Sequence, residues 1–295
     1  MTLHLRTAPV LVRPARPEDA VAAGEIMYQA FAGIAARHGF PPDFPTPAAA
    51  IGLARDLTAD PTVFGVVAET QGRIVGSNFL SEGDVVRGVG PITVAPEAQR
   101  RGIGRNLMQA VIARGRSAAG IRLLQDGFNM ASLALYTSLG FEVREPMAVM
   151  SGRPASRKPS LEFTVRPMTD KDAAACNALY HRAHGIERAN DVNNALRNQA
   201  PAVVLRGGRV TGYMTAPAQW SVNHGTAISR CDMQALMTGA ADLHDAPLAF
   251  LLPTRDRAML SWALSQGLKT VKPMTLMTMG AYTQPKGAYL PSVFY

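Results

Sequence analysis

Apolar and polar positions alternate along this chain in short extended runs separated by amphipathic helices. Val10-Leu-Val-Arg-Pro14 reads as a strand. Arg16-Pro-Glu-Asp-Ala-Val then opens a helix, with proline and acids in the first turn where the dipole favours them, and Val21, Ile26, Met27 and Phe31 on its buried side. Four prolines between His38 and Pro47 demand a loop, and a second helix runs from Ala48 to about Ala59. Thr62–Ala68 and Arg73–Leu80 predict a hairpin turning at Gln71-Gly72. The run from Val85 to Val94 is extended but broken by Gly88, Gly90 and Pro91. Proline cannot donate to a ladder, so a bulge or a parting of strands is expected there. Ile103, Leu107 and Val111 form one helical stripe, Ile121–Gln125 a buried strand, Met130–Leu139 a helix stopped by Gly140, and Phe141 to about Met150 a last strand.

Between two of these elements lies Val94-Ala-Pro-Glu-Ala-Gln-Arg-Arg-Gly-Ile-Gly-Arg-Asn-Leu-Met108. The order is strand, glycine loop, helix. Glycines let backbone N–H groups turn inward, and the new helix aims its positive end at the same spot. A phosphate-bearing ligand is the expectation.

Ser151-Gly-Arg-Pro-Ala-Ser-Arg-Lys-Pro-Ser160 is polar and aperiodic, and reads as a linker. Beyond it the pattern restarts. Val165-Arg-Pro…Asp172-Ala repeats Val12-Arg-Pro…Asp19-Ala, and Gly208-Arg-Val-Thr-Gly212 repeats Gly72-Arg-Ile-Val-Gly76. Gly267-Leu with Pro273-Met274…Met277 repeats Gly140-Phe with Pro146-Met147…Met150 at the same spacing. The chain is two copies of one α/β unit. The second lacks the glycine loop, having Ile228-Ser-Arg-Cys-Asp-Met-Gln-Ala-Leu236 in its place. The stretch ending in Pro291-Ser-Val-Phe-Tyr295 is expected to pack, supplying an edge strand to one copy.

Length and composition narrow the picture. The 295 residues are enough for two cores, with 47% hydrophobic and 18% charged residues. No apolar run is long enough for a bilayer span, and the first residues lack a signal-peptide pattern. Cys176 and Cys231 are too few for a disulfide scaffold or zinc site. Cytoplasm is the expected compartment, with no membrane partner and no metal. The net charge of +8 invites nucleic acid. The arginines are scattered, however, without a basic run or interleaved aromatics, so no nucleic-acid partner is expected.

Gln99-Arg-Arg-Gly-Ile-Gly104, preceded by Val94-Ala-Pro96, resembles the Q/R-x-x-G-x-G/A signature of the GNAT N-acetyltransferase superfamily. Asn129-Met-Ala-Ser-Leu-Ala-Leu-Tyr136-Thr-Ser-Leu-Gly-Phe141 is similar to its second signature, N-x-x-A…L-Y-x-x-x-G-F. The likeness covers most of 10–150 and, more faintly, 163–280. It implies two tandem GNAT-like domains, each a mixed, mostly antiparallel sheet flanked by helices. Residues 1–150 would be catalytic, 151–161 a linker, and 162–295 a degenerate copy without the pyrophosphate loop.

The resemblance further implies an N-acetyltransferase that moves the acetyl group of acetyl-CoA to a small-molecule amine by direct attack. Backbone N–H groups of Arg101, Gly102, Ile103, Gly104 and Arg105, with Gln99 and Arg100 opening the loop, would hold the pyrophosphate. Ile92, Thr93 and Val94 would pair with the pantetheine arm, and Asn129 would touch it from the other wall. Tyr136 would protonate the departing thiolate; the bland alternative is a half-buried core tyrosine. Glu82 and Asp84, in the turn before the cofactor strand, are candidate bases or plain turn acids, with Asp126 a third candidate. His38, Phe40, Asp43 and Phe44 stand in the proline-rich loop expected to overhang the acceptor. A non-catalytic acyl-CoA-binding or regulatory protein is the alternative. The second copy is read as cover for an apolar face, as part of the acceptor pocket, or as a homodimer contact.

Overall fold

The computed structural model describes residues 9–155 and 160–294. The first eight residues, 156–159 of the expected linker, and Tyr295 lie outside the described residues. The first half runs β1 (Leu11–Pro14), α1 (Ala20–His38), α2 (Pro47–Ala59), β2 (Val63–Thr70), β3 (Arg73–Ser81), β4 (Val86–Val89), β5 (Thr93–Val94), α3 (Ile103–Arg114), β6 (Gly120–Asp126), α4 (Met130–Ser138) and β7 (Glu142–Gly152). The second runs β8 (Phe163–Pro167), α5 (Ala173–His184), α6 (Ala189–Asn198), β9 (Ala202–Arg206), β10 (Arg209–Met214), β11 (Gly225–Ala227), α7 (Arg230–Ala240), β12 (Leu248–Pro253), α8 (Arg257–Ser265), β13 (Lys269–Gly280) and β14 (Ala288–Leu290). The expected extended run from Val85 to Val94 is thus two strands, parted at Gly90 and Pro91. The chain forms two compact units: Met1–Glu82 with Val89–Ala118, and Gly83–Gly88 with Ala119–Tyr295.

In the first unit β1, β2 and β3 form an antiparallel meander, and β5 adds antiparallel to β3. Gly76 sits opposite Val94, where a Cβ would lie 2.7 Å from the Thr93 carbonyl oxygen. Only glycine lets β5 come so close. The sheet's buried residues, among them Val67, Phe79 and Leu80, share a core with the Ile103–Leu107–Val111 stripe of α3. At the start of α1, Arg13 grips Asp19 through its two terminal guanidinium nitrogens at 2.7 and 2.9 Å.

In the second unit β4 pairs parallel with β6, and β6, β13, β7 and β12 follow as antiparallel neighbours. The last strand of each copy is therefore flanked by strands of the other. β13 lies between β6 and β7, while β7 lies between β13 and β12. Met147 faces Met274, its own counterpart in the repeat, and Ala148 faces Pro273 as Pro146 faces Thr275. A local twofold axis passes between the two methionines. β7 is also longer than expected, since Ser151 and Gly152 still pair with Ala249 and Leu248 of β12. Its run Met147-Ala-Val-Met150 is wholly buried, so the strand must be covered on both faces and both edges.

A second sheet, β14-β11-β10-β9-β8, is antiparallel throughout. β14 comes from the C-terminal stretch and pairs with β11, so that stretch supplies the expected edge strand. The second copy repeats the Arg13–Asp19 clamp as Arg166–Asp172, with both nitrogens bonded at 2.7 and 2.8 Å. An α/β protein of two mostly antiparallel sheets flanked by helices is the architecture expected from sequence, with the exchanged strands as its unforeseen element.

Candidate functional site

The loop between β5 and α3 is shaped by two residues in the left-handed region, Arg100 at φ 63° and Gly102 at φ 78°. Gly102 is the N-cap of α3, and no side chain caps the helix. The N–H groups of a helix's first turn have no partners within the helix. Left-handed residues on the approach fold the preceding backbone into the same concavity, which suits an anion. Ile103, at 2% exposure, pegs the helix start to the core, while the Arg100, Arg101 and Arg105 side chains are exposed around it. The Gln99 side-chain amide donates to the Val94 carbonyl at 3.1 Å and ties the loop to the end of β5. Thr93 is buried, its hydroxyl 3.3 Å from that of Ser77, while Ile92 and Val94 are half-buried.

In the second unit, Asn129 caps α4 by accepting from the Ser132 N–H at 3.2 Å. Tyr136 sits two turns on, 5% exposed and edge-on to Phe141 with ring centroids 6.2 Å apart. Burial pushes its phenol up to about 12; a hydrogen bond with Ser132 lowers it, and the Asp126 carboxylate raises it. Asp126 ends β6 and is buried. It accepts from the Lys272 ammonium at 2.6 Å, and that nitrogen also lies 5.0 Å from the centre of the Trp220 ring. Lys272 escaped the sequence reading. The signal was present in the repeat, which places it at the position of Glu145, both just before Pro-Met.

The remaining candidates have definite partners. Glu82 binds Arg114 through both carboxylate oxygens, at 2.9 and 3.2 Å. Asp84 accepts from the backbone N–H groups of Asn190 and Asp191 at 3.2 and 3.3 Å, at the start of α6. Burial, then the neighbouring Asp191 carboxylate, raises Asp84 above the usual carboxylate value. In the first unit, His38 ends α1 with Nδ1 3.0 Å from the Ile34 carbonyl. Phe44 packs edge-on against Phe31 at 5.7 Å, and Phe40 and Asp43 are half-buried in the loop. Among the described residues no group of three or more His, Cys, Asp or Glu side chains is placed to hold a metal, and no helix is long and apolar enough to cross a membrane.

Comparison with known sequences finds one family. Residues 33–141 match the acetyltransferase (GNAT) family. The match lies within the first copy and takes in the glycine loop and the stretch from Asn129 to Phe141. A curated sequence, mycothiol acetyltransferase of Tsukamurella paurometabola, is 35% identical over 82 residues; the match spans 26% of this chain and 28% of that protein. Two solved structures extend the likeness in fold to nearly the whole chain. A putative acetyltransferase from Pyrococcus horikoshii superposes with a TM-score of 0.76 at 16% identity, covering 100% of this chain and 98% of the other. A tandem GNAT protein from the clavulanic acid biosynthesis pathway gives 0.57 at 15% identity, covering 92% and 98%. The chain thus shares its overall fold with both.

Proposed function

We propose that this protein is a GNAT N-acetyltransferase with one working cofactor site per chain, and that the left-handed, uncapped entry to α3 is the observation that carries the reading. The backbone of residues 101–105 holds the pyrophosphate of acetyl-CoA, Arg100, Arg101 and Arg105 add charge around it, and residues 92–94 receive the pantetheine arm. Acetyl-CoA supplies an activated acyl carbon on a thioester. Tyr136 gives its proton to the sulfur as the carbon–sulfur bond breaks and the amine nitrogen bonds to the acyl carbon. A carboxylate or water takes the proton the nitrogen sheds, and the phenol is restored from solvent.

Of the three candidate bases, with Asp126 held by Lys272, Asp84 is the one not paired with a cationic side chain among the described residues. Its raised affinity for a proton suits a base, whereas Glu82 is engaged by Arg114. His38, Phe40 and Phe44 remain the candidates for contact with the amine.

An amine-panel assay following CoA release tests the reading. Transfer to at least one amine is expected, falling about a hundredfold or more in kcat for Tyr136→Phe with acetyl-CoA affinity nearly unchanged. Tight acetyl-CoA binding without transfer to any amine would instead establish the non-catalytic alternative.

A further inference from the structure

The local twofold axis between β7 and β13 places Glu145 and Lys272 at equivalent positions, each just before the paired Pro-Met. Each is buried, and each reaches the strand end of the opposite copy. Glu145 accepts from Arg255, which follows β12, and from the Tyr289 hydroxyl. Lys272 donates to Asp126 at the end of β6. The two ion pairs cross the axis with reversed polarity. The one at β6 has a further consequence, because the Asp126 carbonyl accepts from the Asn129 N–H at 2.9 Å, Asn129 in turn caps α4 at Ser132, and Tyr136 stands one turn beyond Ser132 on that helix, its phenol raised by the Asp126 carboxylate.

We propose that Lys272 is a positioning residue for acyl transfer: contributed by the second copy, it holds and balances the Asp126 carboxylate at the turn that enters the helix of Tyr136, and so keeps the phenol able to protonate the departing thiolate. The inference rests on Tyr136 acting as the acid. A carboxylate without its balancing cation disfavours the phenolate that proton donation leaves behind, and it does so most strongly in a buried setting. Asp126 comes from β6 and Lys272 from β13, while Arg144 and Glu142 of the neighbouring β7 pair with each other at 2.9 Å. Ser132 bonds the hydroxyl from Tyr136's own helix, and Phe141 closes the ring edge. In this scheme the second copy, though it lacks a glycine loop of its own, contributes a strand and a cation to the first copy's chemistry.

The test places a fluorinated tyrosine at position 136 of the full chain, so that its phenol titrates in an accessible range and is followed by fluorine NMR. Lys272→Gln retains a hydrogen-bond donor but no charge. It should raise the titration midpoint by about one pH unit, whereas Lys272→Arg should leave it in place and Asp126→Asn with Lys272→Gln should return it. With the natural tyrosine, Lys272→Gln should lower kcat roughly three- to tenfold at an unchanged KM for acetyl-CoA. Lys272→Met is the second uncharged variant if Gln is not tolerated. An unmoved midpoint, or a moved midpoint with kcat intact, overturns the role of Lys272. Full activity of Tyr136→Phe strikes the acid itself, so the two failures are distinguishable.

Discussion

The helices α3 and α7 begin at corresponding places in the two copies, and their first turns have opposite characters. α3 starts from a left-handed glycine with no side-chain cap. α7 starts from Ser229, whose oxygen accepts from the Asp232 N–H at 3.2 Å and whose hydroxyl also meets the Asp232 carboxylate. Asp232 is fully buried, and Arg206 reaches it at 3.3 Å. The positive end of α7 is thus already served by a carboxylate of its own helix. The positive end of α3 is left to be served by something else. The same fold can keep a ligand site or close it by exchanging a glycine for a serine–aspartate pair.

The contrast extends to the next helix. Asn129 caps α4 and Asp256 caps α8 in the same manner, accepting from Ser132 and Met259 N–H groups at 3.2 Å each. Yet the counterpart of Tyr136 is Ala263, which is fully buried. The cap was kept for the fold, and the phenol is present in only one copy.

Four measurements sharpen or break this comparison. The largest effect is the hundredfold or greater loss of kcat for Tyr136→Phe, read by CoA release. Next are the Arg–Asp clamps, present in both copies and therefore structural. The Arg166 hydrogen bond holds Asp172 down to about 2, and Arg13 does the same for Asp19 in direction. A carboxyl lowered on folding stabilises the native state above its unfolded value, and that gain is lost as pH falls. Denaturation at a series of pH values should therefore show on the order of 2 kcal/mol lost between about pH 4 and pH 2 from Asp172, and less loss in Asp172→Asn.

Third, Gly102→Val forces a β-branched residue into the left-handed region and should weaken acetyl-CoA binding about tenfold, measured by calorimetry. The smallest effect belongs to the closed site. Ser229→Ala should cost about 1 kcal/mol of stability in denaturant while leaving acetyl-CoA affinity unchanged. Tighter acetyl-CoA binding to that variant would mean that α7 is not closed after all.

Much of this was legible in the sequence because it is local. A helix stripe such as Ile103–Leu107–Val111, the turn at Gln71-Gly72, and the parting at Gly90-Pro91 are each decided by neighbours within a few residues. The exchange of β7 and β13 is not local. Each is a buried apolar strand whose periodicity says it must be covered, but not by which strand, and the partners are more than a hundred residues apart. The ion pairs were hidden for the same reason. Glu145 and Lys272 look like ordinary surface charges until the register of Met147 against Met274 brings them to the axis. Asp84 likewise appeared to be a turn acid, and its hold on the start of α6 is a contact across more than a hundred residues.

The crossed strands have a bearing on how such a chain can change over time. Were either half lost, the other would keep a buried strand with an uncovered hydrogen-bonding edge, which invites aggregation rather than a working monomer. The duplication then acts as a ratchet. A copy can lack both the glycine loop and the tyrosine, as the second half does, and still be retained by selection for the strand it lends to its neighbour.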